Sequence, residues 1–112
     1  MLSLELFNLT SIDEVWGDDP QDFWIELEAD IGIKNDEDSA EIFTIYAVSP
    51  LRLNTMLETA DIELGRGFFI MNDFNIKKIE ERLKKLILHC GRSNWSESAK
   101  IINRYAIWEY ES

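Results

Sequence analysis

Phe23-Trp24-Ile25-Glu26-Leu27-Glu28-Ala29-Asp30-Ile31-Gly32-Ile33 is the stretch that decides the fold. Its odd positions Phe23, Ile25, Leu27, Ala29 and Ile31 are apolar. Trp24, Glu26, Glu28 and Asp30 fall between them. A two-residue period places the first set on one face of a β-strand and the second set on the other. The segment Gly32 to Ala40, with Lys34-Asn35-Asp36-Glu37-Asp38-Ser39 at its centre, reads as a turn. Glu41 to Val48 then returns as a strand rich in β-formers. Together they predict a long antiparallel hairpin.

Upstream, Leu2, Leu4 and Leu6 alternate with Ser3, Glu5 and Phe7, which suggests a first strand. Asp13 to Asp22 contains Gly17 and Pro20 and is expected to be a polar, acidic loop carrying Trp16. Downstream, Ser49-Pro50 marks a helix start, because serine can cap and proline suits the first turn. One or two helical turns follow over Leu51 to Glu58. Gly65-Arg66-Gly67 is a break, and Phe68 to Met71 a short buried strand. Asn75 to Cys90 is the strongest helix, with Ile76, Ile79, Leu83, Leu86, Ile87 and Cys90 at helical spacing. Asp73 lies near its positive end. Glu80 precedes Lys84, and Glu81 precedes Lys85, in the favourable order for ion pairs. Gly91 is expected to end this helix in a left-handed cap. Asn94 and Glu97 form a capping-box pattern for a second helix through Arg104. Tyr105 to Glu111 sets Ala106, Trp108 and Tyr110 against Ile107, Glu109 and Glu111, a closing strand. The predicted class is α+β. It is an antiparallel β-sheet with a long hairpin, two C-terminal helices packed on one face and a closing C-terminal strand. One domain is expected over residues 1–112.

A chain of 112 residues with 46% hydrophobic residues can bury a core without staples. Its single cysteine, Cys90, cannot form an intramolecular disulfide. Met1-Leu2-Ser3-Leu4-Glu5 lacks the basic start and apolar run of a signal peptide. Apolar runs such as Phe68 to Met71 are far too short to span a bilayer. The expected compartment is therefore the cytoplasm. Charge is more telling: 22 acidic residues face 11 basic ones, a net −11. Residues 1–64 hold 16 acids and 2 bases, whereas residues 65–112 hold 6 acids and 9 bases. An acidic front half repels nucleic acid and anionic membranes and attracts basic surfaces.

Few residues have the spacing that catalysis needs. His89 and Cys90 are adjacent on a helix and point about 100° apart. The chain has no other His or Cys, so a Cys/His zinc site is excluded. Cys90 is expected in the core and His89 on the helix flank. Gly65-Arg66-Gly67 lacks the ending of a phosphate loop and leads into a strand. Glu26, Glu28 and Asp30 share a strand face with Trp24. They fit a solvated face, a carboxylate or Mg²⁺ site of a hydrolase, or a docking stripe for a basic partner. With no nucleophile constellation, no catalytic, cofactor or metal residue is assigned. The acids Asp13, Glu14, Asp18, Asp19 and Asp22 extend the patch, as do Asp36, Glu37, Asp38 and Glu41 at the hairpin end. The candidate partner-binding set is Trp16, Asp18, Asp19, Asp22, Trp24, Glu26, Glu28, Asp30, Asp36, Glu37 and Asp38. Lys77, Lys78, Lys84 and Lys85 form a basic helix face interrupted by Glu80 and Glu81, read as solvated.

Two blocks of sequence carry a resemblance. One runs from Phe23 to Leu53, through Ile31-Gly32, Ile42-Phe43-Thr44-Ile45 and Ser49-Pro50-Leu51. The other contains Cys90-Gly91, Ser93-Asn94-Trp95-Ser96-Glu97 and Arg104-Tyr105-Ala106-Ile107-Trp108-Glu109-Tyr110. Together they resemble the immunity protein 8 family of bacterial polymorphic toxin systems, over roughly Phe23 to Tyr110. The resemblance implies a small α+β protein that binds and blocks a co-encoded toxin, often a nuclease, in contact-dependent growth inhibition. It implies no catalytic residues, and gives Trp95, Trp108 and Tyr110 the task of holding the fold. The acidic segment 13–22 has no counterpart in it. An adaptor or inhibitor of some other basic protein is the remaining alternative.

Overall fold

β2, Phe23–Ile33, is the middle strand of the molecule's sheet, and its inward row Phe23, Ile25, Leu27, Ala29 and Ile31 is fully shielded from solvent. The structure is a computed structural model that describes residues 1–111. β1, Leu4–Trp16, pairs antiparallel with one edge of β2, from Leu4 opposite Ile33 to Trp16 opposite Phe23. β3, Glu41–Val48, pairs antiparallel with the other edge, setting Glu26 opposite Tyr46 and Asp30 opposite Ile42. A single 3-10 turn, Glu37–Ser39, connects β2 to β3.

The far edge of β3 takes two short partners. β4, Phe68–Ile70, lies parallel beside Tyr46 to Val48. β5, Ile107–Trp108, lies antiparallel beside Phe43 and Thr44. The helices are α1, Pro50–Ala60; α2, Ile76–Ile87; and α3, Trp95–Ile102. α2 and α3 bury Ile79, Leu83, Ile87, Ala99 and Ile102 in one hydrophobic cluster with the inward rows of β1, β2 and β3. The α+β layout with two C-terminal helices on one sheet face is thus the one expected. Among the described residues no helix is long and apolar enough to cross a membrane.

Local chemistry fixes the helix starts. The side chains of Asn75 and Asn94 accept from the Lys78 and Glu97 amides at 3.2 and 2.9 Å, which satisfies an orphan donor at each N-terminus. Glu97 does not close a full capping box, because its carboxylate accepts from the Ser93 hydroxyl instead. Lys84 reaches Glu80 at 3.0 Å, one of the two expected helical pairs. Buried Ser49 accepts from the Arg52 amide at 3.1 Å and from the Phe23 amide at 3.0 Å. One hydroxyl therefore caps α1 and ties it to the start of β2.

Four local expectations are corrected. Residues 13–16 are strand, not loop: only the short connection from Gly17 to Asp22 turns the chain between β1 and β2. The alternation of β1 is hidden by register shifts between Leu6 and Asn8 and between Ser11 and Asp13. Each leaves one extra residue, Phe7 or Ile12, and breaks the two-residue period. β4 is only half-buried, with Ile70 exposed. The closing strand shrinks to Ile107–Trp108, because turns occupy both sides of it. Gly91 is not left-handed: Gly67 alone among the glycines has positive φ, at 83°. Gly91 is needed for space, since a Cβ there would strike the carbonyl oxygen of Leu2. That close approach accompanies a hydrogen bond from the Leu2 amide to the Arg92 carbonyl, 2.8 Å.

The sheet's β5 end is held by one carboxylate. Glu41 Oε1 accepts from the indole N–H of Trp95 at 2.5 Å and from that of Trp108 at 3.1 Å. Both rings pack on buried Phe43, with centroids 6.2 and 6.4 Å away. Two donors aimed at one charged acceptor give strong hydrogen bonds, and deleting the acceptor strands both in a half-buried place. Glu41→Ala is therefore expected to lower unfolding free energy by about 2 kcal/mol or more. Glu41→Gln, which keeps one acceptor oxygen, should cost markedly less. Urea unfolding followed by tryptophan fluorescence measures both, and a loss under about 0.5 kcal/mol for Glu41→Ala would show that the carboxylate holds nothing.

Candidate functional site

α2 and α3 cover one side of the sheet, and α1 lies outside that core cluster; most of the other side is left open. Strand register assigns its residues, since directly paired residues share a face. β2 supplies Trp24, Glu26, Glu28 and Asp30. β1 adds Asn8, Thr10, Asp13 and Val15 beside them, and β3 adds Ile42, Thr44, Tyr46 and, opposite Trp24, the fully buried Val48. Phe68 of β4 lies beside Tyr46, and Ile107 of β5 beside Thr44.

The face has two characters. At one end Trp24 stacks on Tyr46 with centroids 4.8 Å apart and planes 28° off parallel. Phe68 meets Trp24 edge-on at 5.3 Å and Tyr46 at 6.1 Å. Val15 and Ile70, both largely exposed, sit on the same face near this trio. From there Glu26, Glu28 and Asp30 run toward the opposite end of β2. Each is half-buried, and none joins an ion pair among the described residues. The Tyr46 hydroxyl is pushed above the ordinary tyrosine range, first by burial and then by the Glu26 carboxylate opposite it.

The eleven residues singled out from sequence fall in separate places. Trp24, Glu26, Glu28 and Asp30 are together on the open face. Trp16 is on the helix side, packed on Phe23 at 5.3 Å and Phe74 at 6.1 Å, with its indole N–H donated to Glu14 at 3.0 Å. That bond, with one from the Ser11 hydroxyl, holds the Glu14 carboxyl below its usual range. Asp18 and Asp19 are exposed in the β1–β2 turn. Asp22 is engaged by Arg52 at 2.7 Å. Asp36, Glu37 and Asp38 are exposed at the other end of β2, roughly 30 Å from that turn at the usual rise per residue. Tyr46 and Phe68 were not anticipated. Their only signal is the register that places them beside Trp24 and Glu26.

Other chemistries find little support in the geometry. Among the described residues no three His, Cys, Asp or Glu side chains are grouped to hold a metal ion. Cys90 is buried, donates to the Leu86 carbonyl at 3.3 Å, and has its thiol pushed up by burial, the reverse of an activated nucleophile. Gly65-Arg66-Gly67 is a turn into β4, as expected.

The Tyr46–Glu26 pair gives a direct test of the open face. Tyr46 has a folded pKa above its unfolded one, so folding favours its neutral form. The stability this represents is fully present below the ordinary tyrosine pKa of about 10 and is lost as pH rises through the higher folded value. Glu26→Gln removes the second cause and should bring Tyr46 partly back toward the ordinary range. Ultraviolet titration of phenolate absorbance in the two proteins reads this, and identical Tyr46 titrations would separate the two side chains.

The family model for immunity protein 8 matches residues 2–112. No curated protein and no solved structure matches the chain. The match spans almost all of the sequence and includes the β2–β3 hairpin, the Trp95 and Trp108 clamp and the segment 13–22. The chain therefore belongs to the immunity protein 8 family.

Proposed function

We propose that this chain neutralises its cognate toxin by binding it one to one through the open face of the sheet. The observation that carries the reading is the pairing of a half-buried aromatic trio, Trp24, Tyr46 and Phe68, with the unpaired, half-buried carboxylates Glu26, Glu28 and Asp30 on one surface. Aromatic anchors supply most of the binding energy at interfaces, and a row of like charge selects and steers a partner of opposite charge. β1, β2 and β3, about 4.8 Å apart and roughly 25–40 Å long, with short β4 and β5 along the edge, offer a patch on the order of 600 Å². That approaches the roughly 800 Å² each partner contributes to a standard interface.

The toxin that fits is a basic protein, and a nuclease domain with a cationic, phosphate-binding cleft is the best match. An acidic partner laid over such a cleft blocks substrate access and is drawn in by the same field that attracts nucleic acid. The protein would act in the cytoplasm, before the toxin reaches its target. The exposed acids Asp18, Asp19, Asp36, Glu37 and Asp38 lie at the two ends of the hairpin. They would contribute mainly to long-range attraction, with little direct contact energy.

Glu26→Lys with Glu28→Lys, tested against the toxin encoded beside this protein, should weaken binding at least tenfold, about 1.4 kcal/mol, with the thermal midpoint little changed. The loss should shrink at high salt, where the steering field is screened. Trp24→Ala should cost about 2 kcal/mol or more of affinity. Native affinity in the folded double variant would exclude this face. A tight complex that ignores both salt and the acids but depends on Trp24 would place the energy in the aromatic end alone.

A further inference from the structure

The basic half of the chain builds a site of its own on the helix side of the sheet. β4 covers only three residues of the β3 edge, so α2 overhangs it and leaves a cleft of about 490 Å³. Arg66, Lys78, Arg82 and Arg104 line it, over a floor that includes Phe69 and Leu86. Lys78, Arg82 and Leu86 are spaced four apart and so form one row on α2, next to its buried row of Ile79, Leu83 and Ile87.

Charge makes this cleft unusual. Acids outnumber bases 22 to 11 in the chain, so cations have no shortage of available partners. Yet Lys78, Arg82 and Arg104 join no ion pair among the described residues. Arg66 shows what the cleft accepts. Its guanidinium grips the Glu111 carboxylate with two bonds, at 2.5 and 2.8 Å, and Asn103 supports that carboxylate at 3.3 Å. Glu111 belongs to an acidic, aromatic stretch, Trp108-Glu109-Tyr110-Glu111. The cation at one edge of the cleft is thus already held by a carboxylate from the turn after β5, while Lys78, Arg82 and Arg104 stand exposed beside an apolar floor.

We propose that this cleft is a docking site for an acidic peptide segment of another protein, with carboxylates for Lys78, Arg82 and Arg104 and an apolar side chain for the Phe69–Leu86 floor. Arginine matches carboxylate geometry with paired N–H donors, and the apolar floor adds burial that a bare anion cannot use. A long polyanion such as nucleic acid fits poorly, because it would extend past the cleft onto the front half, where residues 1–64 carry 16 acids against 2 bases; a short segment with a few carboxylates stays within the basic half. The site meets the open face at Phe68 and Ile70 of β4, but its cations lie on α2 and after α3 and are of opposite charge, so it does not rest on the toxin-binding reading.

The test uses the full chain labelled with ¹⁵N and a capped probe peptide, Glu-Glu-Phe-Glu-Glu, followed by chemical-shift changes. Saturable shifts at the amides of Phe69, Arg82, Leu86 and Tyr105 are expected. Lys78→Glu with Arg82→Glu should weaken binding at least tenfold, Arg82→Gln alone should weaken it less, and Glu26→Lys should leave it unchanged. Circular dichroism verifies folding of each variant, and Arg82→Gln keeps the test decisive if the double reversal unfolds. No saturable shift at millimolar peptide overturns the proposal. So does tighter binding of ATP or inorganic phosphate at the same amides, which would mark a phosphate site. A concentration-dependent dimer in sedimentation that Arg82→Glu abolishes would also overturn it, by making the occupant a second copy of the chain.

Discussion

The inward row of β2 governs this molecule. Five side chains, Phe23 to Ile31 at every second position, are wholly removed from water. Burying that row takes two helices, a flanking strand on each side and several half-buried aromatic rings. α2 and α3 are committed to it, the opposite face outside buried Val48 keeps partly exposed side chains, and the alternation of β2 determines what that face displays. The acidic, tryptophan-bearing surface is therefore the obligatory reverse side of the core strand. Its residues are positioned by the sheet rather than by loops, which would suit the proposed docking surface, since such a surface meets a partner with little rearrangement.

Elements with an uninterrupted period were legible in the sequence. The β2–β3 hairpin, α2 with its Ile79-Leu83-Ile87 row, and the asparagine starts of α2 and α3 follow from spacing and capping chemistry alone. β1 was legible only to its first shift. The extra residues Phe7 and Ile12 turn a continuous strand into a sequence without visible alternation, and its acids then resemble a loop. The shape of the far edge of β3 was not legible, because β4 and β5 are too short to carry a pattern and owe their strand geometry to the partner already in place. The candidate face shows the same division. Trp24 and its three acids were grouped by alternation within one strand. Tyr46 and Phe68 needed pairing across strands, which no local spacing encodes. Trp16 seemed a companion to Trp24 until its pairing with Phe23 placed it on the helix side.

The lopsided charge of the chain becomes spatial order. The front half forms the β1–β2–β3 meander with its acids along the open face and at both hairpin ends, while the back half supplies α2, α3 and the basic cleft. Few of these charges neutralise one another: three side-chain ion pairs are formed among the described residues, two of them largely exposed. Such pairs add little to stability. The charges instead give the molecule unlike surfaces and a direction of approach for any charged partner. Stability resides in the dehydrated core, in Ser49 linking α1 to β2, and in Glu41 between two indoles.

The position of β5 has a bearing on how the chain reaches this state. β1, β2 and β3 are joined by short turns and can meet early. Glu41 and Trp108, by contrast, are 67 residues apart in sequence, and the strand that covers Phe43 and Thr44 of the β3 edge comes with Trp108. Closing so long a loop is slow and entropically costly. During synthesis, then, a three-stranded meander emerges with a bare edge of unpaired amides and carbonyls well before its cover exists. Such edges template pairing with other chains. The interval before β5 arrives is the window in which this chain is most open to misassembly, and translation speed through the helical segment sets its length.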